Sequence, residues 1–186
     1  RDRVTARGGD GVFFEQTGDL ALQRVVSGGD IGIDVVDGGS LSPKTQGGID
    51  VLAQRGSVDL DVDGHVAGTD RPLNVDADSL RVDAGGDAWL GAEQFNGAIL
   101  DLALGETAVD GDLRVNDVTD LDILGPVETG AVRARANGAI TAASDASALI
   151  NDDGLMDLEA GAAIGAADSP LRVEPDRLRE IGRAHV

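Results

Sequence analysis

Residues 58–63 read Val58-Asp59-Leu60-Asp61-Val62-Asp63, a strict alternation of aliphatic and acidic side chains. A period of two places one set of side chains in a core and the other in water, which is the pattern of a half-buried β-strand. Shorter versions recur along the chain, at 31–35, 73–75, 80–82, 113–115, 121–123 and 132–136. The sequence therefore predicts many strands of only three to six residues.

Turn-forming residues separate these segments. Glycine accounts for 27 of the 186 residues, and it clusters with Asp, Ser or Asn between the alternating stretches. Examples are Gly28-Gly29-Asp30, Gly38-Gly39-Ser40, Gly85-Gly86-Asp87 and Asn137-Gly138. Gly and Asn tolerate positive φ, so these clusters predict tight turns. The Ala-rich stretch 141–150 fits either a helical turn or a wall of small residues inside a solenoid.

The composition selects among all-β architectures. Only 2% of the residues are aromatic and there is no Cys, so the interior must be aliphatic and lacks disulfides. Very short strands, dense Gly and an aliphatic core favour a parallel β-helix, in which each coil buries its apolar side only by stacking on its neighbours. At roughly 20 residues per coil, we expect about eight or nine coils over residues 1–178.

An internal repeat supports this architecture. Five residues recur with identical spacing 98 residues later, and the shared unit contains Pro-Leu-x-Val. The first copy is Val66, Pro72, Leu73, Val75 and Leu80, and the second is Ile164, Pro170, Leu171, Val173 and Leu178. A Pro suits the start of a short strand because no ladder bond is needed there. The interval would hold about five coils.

The ends of the chain differ from the rest. The first residue is Arg1, and residues 181–186 read Ile-Gly-Arg-Ala-His-Val, which is typical of a translated sequencing adapter. We therefore expect 179–186 to be a non-native or disordered tail and the chain to be an internal fragment of a longer array.

At Gly29-Asp30-Ile31, Gly111-Asp112-Leu113 and Gly138-Ala139-Ile140, and at Ala163-Ile164-Gly165 through Pro170-Leu171-Arg172-Val173, the sequence resembles large adhesins of the filamentous-haemagglutinin type. The similarity is loose and runs over roughly residues 8–178. It implies a right-handed parallel β-helix rod that is secreted across a Gram-negative outer membrane and serves in attachment. The rods of this family carry no catalytic residues, so none are carried over to this chain, and the family's N-terminal secretion module is not visible.

The charge and the residue inventory exclude several kinds of chemistry. A formal net charge of −19 disfavours nucleic acid and anionic membranes as partners. The only histidines are His65 and His185, too few for a zinc set without Cys. We expect His65 to be a solvent-facing turn residue, with no Ser placed beside it for nucleophilic catalysis. The sequence thus predicts no catalytic, cofactor-binding or metal-ligating residue, and no enzyme.

Two alternatives concern ligands. The stretch 28–36 approaches a calcium β-roll repeat but has one residue too many, and it does not recur in tandem. If Asp59, Asp61 and Asp63 stack on acidic neighbours, Ca²⁺ could offset the repulsion. The arginines Arg81, Arg133 and Arg135 could do the same, and a solvated acidic face is the other interpretation. Trp89 and Phe95 could form a sugar platform of a carbohydrate-active enzyme, or simply a packing pair.

We therefore expect a structural or interaction segment of a secreted or cell-surface bacterial adhesin. Its partners would be a host or neighbouring-cell surface protein or glycan, together with neighbouring coils of the parent chain. A calcium-binding β-roll-like module of a secreted protein is the alternative, and a carbohydrate-active β-helix enzyme comes third.

Overall fold

The structure is a computed structural model that describes residues 3–44, 48–68, 71–94, 96–151, 154–175 and 177–182. Regular structure in these ranges is entirely β-strand. The strands are β1 (Arg3–Gly8), β2 (Gly11–Thr17), β3 (Leu20–Ser27), β4 (Asp30–Val36), β5 (Leu41–Pro43), β6 (Val51–Ala53), β7 (Ser57–Val62), β8 (Leu73–Asp76), β9 (Ser79–Ala84), β10 (Ala88–Gly91), β11 (Leu102–Val118), β12 (Leu121–Ile123), β13 (Pro126–Ala136), β14 (Ile140–Ala142), β15 (Ala148–Asn151), β16 (Leu155–Ala160), β17 (Arg172–Glu174) and β18 (Arg177–Gly182).

The strands pair in parallel, each with the strand one coil earlier or later, and so form a β-solenoid of about eight turns. Face one is the ladder of inward residues Phe14, Ile33, Leu60, Val82, Thr107, Val127, Leu149 and Val173. Face two is the ladder Leu20, Leu41, Val66, Ala88, Leu113, Val132, Met156 and Leu178. Shorter ladders close the remaining side: Val25, Val51 and Val75, then Leu102, Leu121, Ile140 and Ile164. The prediction of an all-β parallel solenoid of short strands is confirmed.

Alternation in the sequence explains which side chains fill the core. In β7, Val58, Leu60 and Val62 are buried, whereas the intervening acidic residues are exposed. Aliphatic side chains from successive coils then stack about 4.8 Å apart and exclude water along the solenoid axis. Leu, Val, Ile and Ala make up almost all of the buried cluster, with Met156 as its one methionine. An aliphatic core therefore suffices to hold the coils together.

Coil length is irregular. Along face one, Phe14 and Ile33 are 19 residues apart, whereas Ile33 and Leu60 are 27 apart. Loops absorb the difference, so a constant sequence period does not exist. The 98-residue repeat is consequently not a structural repeat. Leu80 pairs with Val58 on face one, but its counterpart Leu178 pairs with Met156 on face two.

The Ala-rich stretch 141–150 contributes to β14 and β15 and forms a turn between them, so the helical-turn alternative is wrong. Ala142 and Ala148 are buried, as expected for a wall of small residues inside the solenoid, whereas 143–146 are exposed. At the C-terminal end, β18 pairs with β16 as far as Gly182. The division into a solenoid over 1–178 and a tail over 179–186 stays a prediction. Residues 183–186, which hold His185 and most of the suspected adapter sequence, lie outside the described residues.

Candidate functional surfaces

One corner of the solenoid carries a column of side-chain acceptors. We call it the corner column; each member lies directly before a face-two residue, and its members are Asp19, Ser40, His65, Asp87 and Asp112. Ser40 N donates to Asp19 Oδ1 at 3.2 Å, and His65 N donates to Ser40 Oγ at 3.0 Å. Asp87 N then donates to His65 Nδ1 at 2.8 Å, and Asp112 N donates to Asp87 Oδ1 at 2.9 Å. The side chains of the first four members therefore each satisfy a turn N–H of the next coil, and Asp112 ends the column as the last donor.

A glycine precedes every member of this column, at Gly18, Gly39, Gly64, Gly86 and Gly111. A Cβ at Gly86 would lie 2.6 Å from His65 Nδ1, and one at Gly111 would lie 2.2 Å from Asp87 Oδ1. The glycine thus leaves space for the acceptor of the coil before it. The motif is Gly, then an acceptor, then an aliphatic residue, and it was visible in the sequence without its function being recognised.

Other corners use the same arrangement. Asp30 Oδ1 accepts from Ser57 N at 2.9 Å, beneath Gly56, and Asp120 Oδ1 accepts from Ala139 N at 2.5 Å. Asp30 belongs to the stretch that resembles a calcium β-roll repeat, but its carboxylate is engaged by backbone N–H. Within the described residues no group of three or more His, Cys, Asp or Glu side chains is placed to hold a metal ion.

The corner column brings together Ser40, His65 and Asp87, which sequence reasoning did not expect. His65 is a turn residue whose side chain is 57% exposed, as predicted. A catalytic set would need its Nδ1–H donated to Asp87 and its Nε2 directed at Ser40 Oγ. Instead Nδ1 accepts the Asp87 N–H, and Ser40 Oγ contacts the His65 backbone. The three residues serve the corner and do not form a charge-relay geometry.

Face one carries an outward acidic column. Its members stack on successive coils and are Glu15, Asp34, Asp61 and Asp83. The predicted stacking of acidic residues thus occurs for Asp61. Partial burial, followed by the charges of Asp83 and Asp34, raises the pKa of Asp61 above its ordinary value. A raised carboxyl pKa means that ionised Asp61 is held less favourably in the fold than in water.

Arginine offsets part of this charge, as anticipated. Arg81 Nη1 lies 2.8 Å from Asp59 Oδ1, and its Nη2 lies 3.7 Å from Asp83 Oδ2. The hydrogen bond to Asp59 is the main cause of a raised Arg81 pKa. Asp63 is used differently, because its Oδ2 accepts from Gly38 N at 3.0 Å.

The outer side of face two carries mixed charges. Arg133 Nε and Arg179 Nη1 lie 3.8 and 3.7 Å from Asp157 Oδ2, so one carboxylate separates two guanidinium groups. Arg135 Nε lies 3.2 Å from Glu159 Oε2. The two faces of the solenoid therefore differ in charge pattern, one mostly acidic and one carrying both arginines and carboxylates.

A buried ion pair was not foreseen. Asp50 is fully buried, and its Oδ2 lies 2.5 Å from Arg71 Nη2 and 3.0 Å from Asn74 N. A buried carboxylate needs such partners to remain charged. No local pattern distinguishes Asp50 from the many exposed aspartates, because its partners lie more than 20 residues away.

A hollow on face two lies beside the corner column. Its volume is about 310 Å³, and its lining includes His65, Ala67, Asp87, Trp89 and Arg114. Trp89 is half-buried, and its Nε1–H donates at 2.9 Å to the side-chain oxygen of Asn116 when that amide is oriented to satisfy both of its groups. Phe95, the proposed partner of Trp89, lies outside the described residues.

These geometries were compared with known proteins. No family model, curated protein or solved structure matches the chain. Within the described residues, no helix is long and apolar enough to cross a membrane.

Proposed function

We propose that the chain is a rigid rod segment of a secreted or cell-surface bacterial adhesin. The observation that supports this role is the pair of uninterrupted ladders, faces one and two, that run over about eight coils. Such a stack transmits its rigidity from coil to coil and can be extended by adding coils of the same kind. A partner would contact the outward-facing columns of charged residues along the sides of the stack.

The resemblance to filamentous-haemagglutinin-type adhesins adds the biological setting. It rests on the Gly-Asp/Ala-aliphatic openings and on the Pro-Leu-x-Val element. Three of the openings take part in inter-coil contacts: Asp30 accepts from Ser57 N. The N–H groups of Asp112 and Ala139 donate to Asp87 and Asp120 of the preceding coils. A motif whose contacts join one coil to the next is expected in a long array of coils more than in a protein built around a single pocket. The partner in attachment would be a protein or glycan on a host or neighbouring cell.

For the calcium-binding alternative, the same carboxylates are relevant. Asp30, Asp87 and Asp120 each accept a backbone N–H from the next coil through Oδ1, so one oxygen of each carboxylate is already used for folding. This observation favours the rod over a calcium-dependent β-roll.

The attachment role is tested with purified protein coupled to beads and applied to cultured epithelial cells. We expect saturable attachment that soluble protein competes away and that chelation of calcium leaves unchanged. Beads carrying a heat-unfolded sample of the same chain are the control. Equal retention of folded and unfolded samples, or no retention of folded protein, would contradict an adhesive role.

A further inference from the structure

The hollow on face two combines an aromatic ring with hydrogen-bonding groups of both kinds. It lies beside Val66, which pairs with Leu41 and Ala88 through isolated bridges, and beside Ala67, whose φ is 66°. Its volume of about 310 Å³ lies at the lower end of the range of roughly 300–1,000 Å³ found for small-molecule sites. The hollow is therefore large enough for one or two ligand rings.

Trp89 is the chain's single tryptophan and lies at an outward position of β10, beside Arg114 in the next coil. Its indole N–H is taken by the Asn116 side chain, which fixes the ring and leaves its face as the apolar part of the site. An oriented aromatic face is the usual platform for the C–H side of a sugar ring.

The polar groups around the ring are only partly used by the fold. Asp87 accepts from Asp112 N through Oδ1, and its side chain remains 61% exposed. His65 uses Nδ1 as an acceptor, so the neutral ring carries its proton on Nε2. Arg114 Nη2 lies 3.7 Å from Asp112 Oδ2, its one ion-pair contact among the residues that the structure describes, and its side chain is 45% exposed. The hollow thus offers an acceptor at Asp87, donors at His65 and Arg114, and the hydroxyl of Ser40, which can do both.

We propose that this hollow binds a neutral pyranose residue of a glycan. Sugar hydroxyls both donate and accept, which matches Asp87 together with His65 and Arg114, while the pyranose ring stacks on Trp89. An acidic sugar is disfavoured because Asp87 lies in the site and the chain carries a net charge of −19. The inference rests on the proposed attachment role for its biological meaning, since it names the chemistry of a partner.

Trp89 also provides the measurement, because tryptophan fluorescence reports on this hollow alone. The folded chain is titrated at millimolar concentrations with lacto-N-tetraose, cellotetraose, mannotetraose and maltotetraose, and separately with 3′-sialyllactose and glycerol. We expect a saturable change with at least one neutral tetrasaccharide and none with glycerol. Arg114→Ala and His65→Ser should each weaken binding about tenfold, as expected for loss of one hydrogen bond from a charged or polar donor.

The variants are chosen so that folding is preserved. His65→Ser retains a corner acceptor, because Ser40 fills the same position one coil earlier. Arg135→Ala, an arginine of the same face outside the hollow, is the matched control and should bind normally. No saturable change with any neutral tetrasaccharide, a response to 3′-sialyllactose alone, or unchanged affinity in both hollow variants would each overturn the assignment. Bead attachment is measured separately, so failure of the adhesive role and failure of this site are distinguishable.

Discussion

The corner column and the acidic column stack polar residues in the same way, one per coil, yet their energetic effects are opposite. In the corner column, Asp87 lies under a backbone N–H of the next coil and accepts it. In the acidic column, Asp61 lies between Asp34 and Asp83 and meets two like charges. A stacked carboxylate therefore stabilises the solenoid only where the next coil presents a donor. Carboxylates of both columns contribute to the excess of acidic residues in the chain.

The largest loss of stability is expected from a substitution that fills the space a corner glycine leaves for the acceptor of the preceding coil. Gly111→Ala would place a Cβ 2.2 Å from Asp87 Oδ1 and 3.0 Å from Asp87 N, so both the acceptor and the backbone must shift. We expect a loss of about 2–3 kcal/mol in the free energy of unfolding, measured by chemical denaturation. Gly9→Ala is the control, because a Cβ there meets nothing within 4 Å. Equal effects of the two substitutions would refute the steric role of the corner glycines.

A smaller effect is expected from removing one acceptor of the corner column. Asp87→Ala leaves Asp112 N without its partner and should cost about 1 kcal/mol, whereas Asp87→Asn keeps an oxygen in place and should cost less than half of that. Thermal unfolding followed by circular dichroism gives both values. If Asp87→Asn lost as much stability as Asp87→Ala, the contribution of Asp87 would come from its charge and not from its acceptor oxygen.

In the acidic column, removing a carboxylate is expected to raise the free energy of unfolding, the opposite of the effect in the corner column. The pKa of Asp61 is raised, so the native state holds its proton more tightly than the unfolded chain, and stability falls as pH rises through the native pKa. Asp61→Asn should therefore stabilise the protein by about 0.5 kcal/mol at neutral pH, a value kept small by solvent screening. The gain should vanish below about pH 4, where Asp61 is protonated in both states. Denaturation curves across pH test this.

Asp59→Asn serves as the comparison for that substitution. Asp59 is paired with Arg81, so its replacement removes a favourable contact and should give no stabilisation at neutral pH. A gain as large as that of Asp61→Asn would mean that overall net charge, and not stacking of like charges, decides the effect.

The smallest expected effect is the change in unfolding temperature on adding salt. Sodium chloride screens the acidic column, so raising it from low ionic strength should increase the unfolding temperature by a few degrees at most, and less in Asp61→Asn. Calcium chloride and magnesium chloride at equal ionic strength should act alike. A calcium-specific increase, or a transition from disordered to folded on calcium addition, would instead support a β-roll-type site.

Much of the fold was predictable, because alternation such as that of 58–63 determines which side chains face inward whatever the coil length. The stacking of Asp61 and the pairing of Arg81 with Asp59 followed from the same alternation. Arg133 and Arg135 do not offset that stack, because they lie on face two and pair with Asp157 and Glu159. The inter-coil partners were not predictable. His65 lies 25 residues after Ser40 but 22 before Asp87, and coil lengths vary too much for spacing to indicate such contacts.

The same irregularity explains the misinterpreted repeat and the missed buried pair. Val75 and Val173 share a sequence context, but Val75 pairs with Val51 on the third side and Val173 with Leu149 on face one. Asp50 resembles other aspartates locally and differs through distant partners, among them Arg71 and the N–H of Asn74. The hollow at Trp89 likewise lies beside Val66 and Ala67, a placement that composition does not indicate.

Distances along face one test the stacking of coils most directly. The chain has no native Cys, so spin labels can be placed on cysteines at outward positions of one column: Glu15, Glu128 and Glu174. Parallel stacking at about 4.8 Å per coil predicts backbone separations of about 24 Å from residue 15 to 128, five coils away, and about 34 Å to 174, seven coils away. Pulsed electron paramagnetic resonance measures both distances. A longer second distance is the predicted result, and equal or reversed distances would contradict the solenoid.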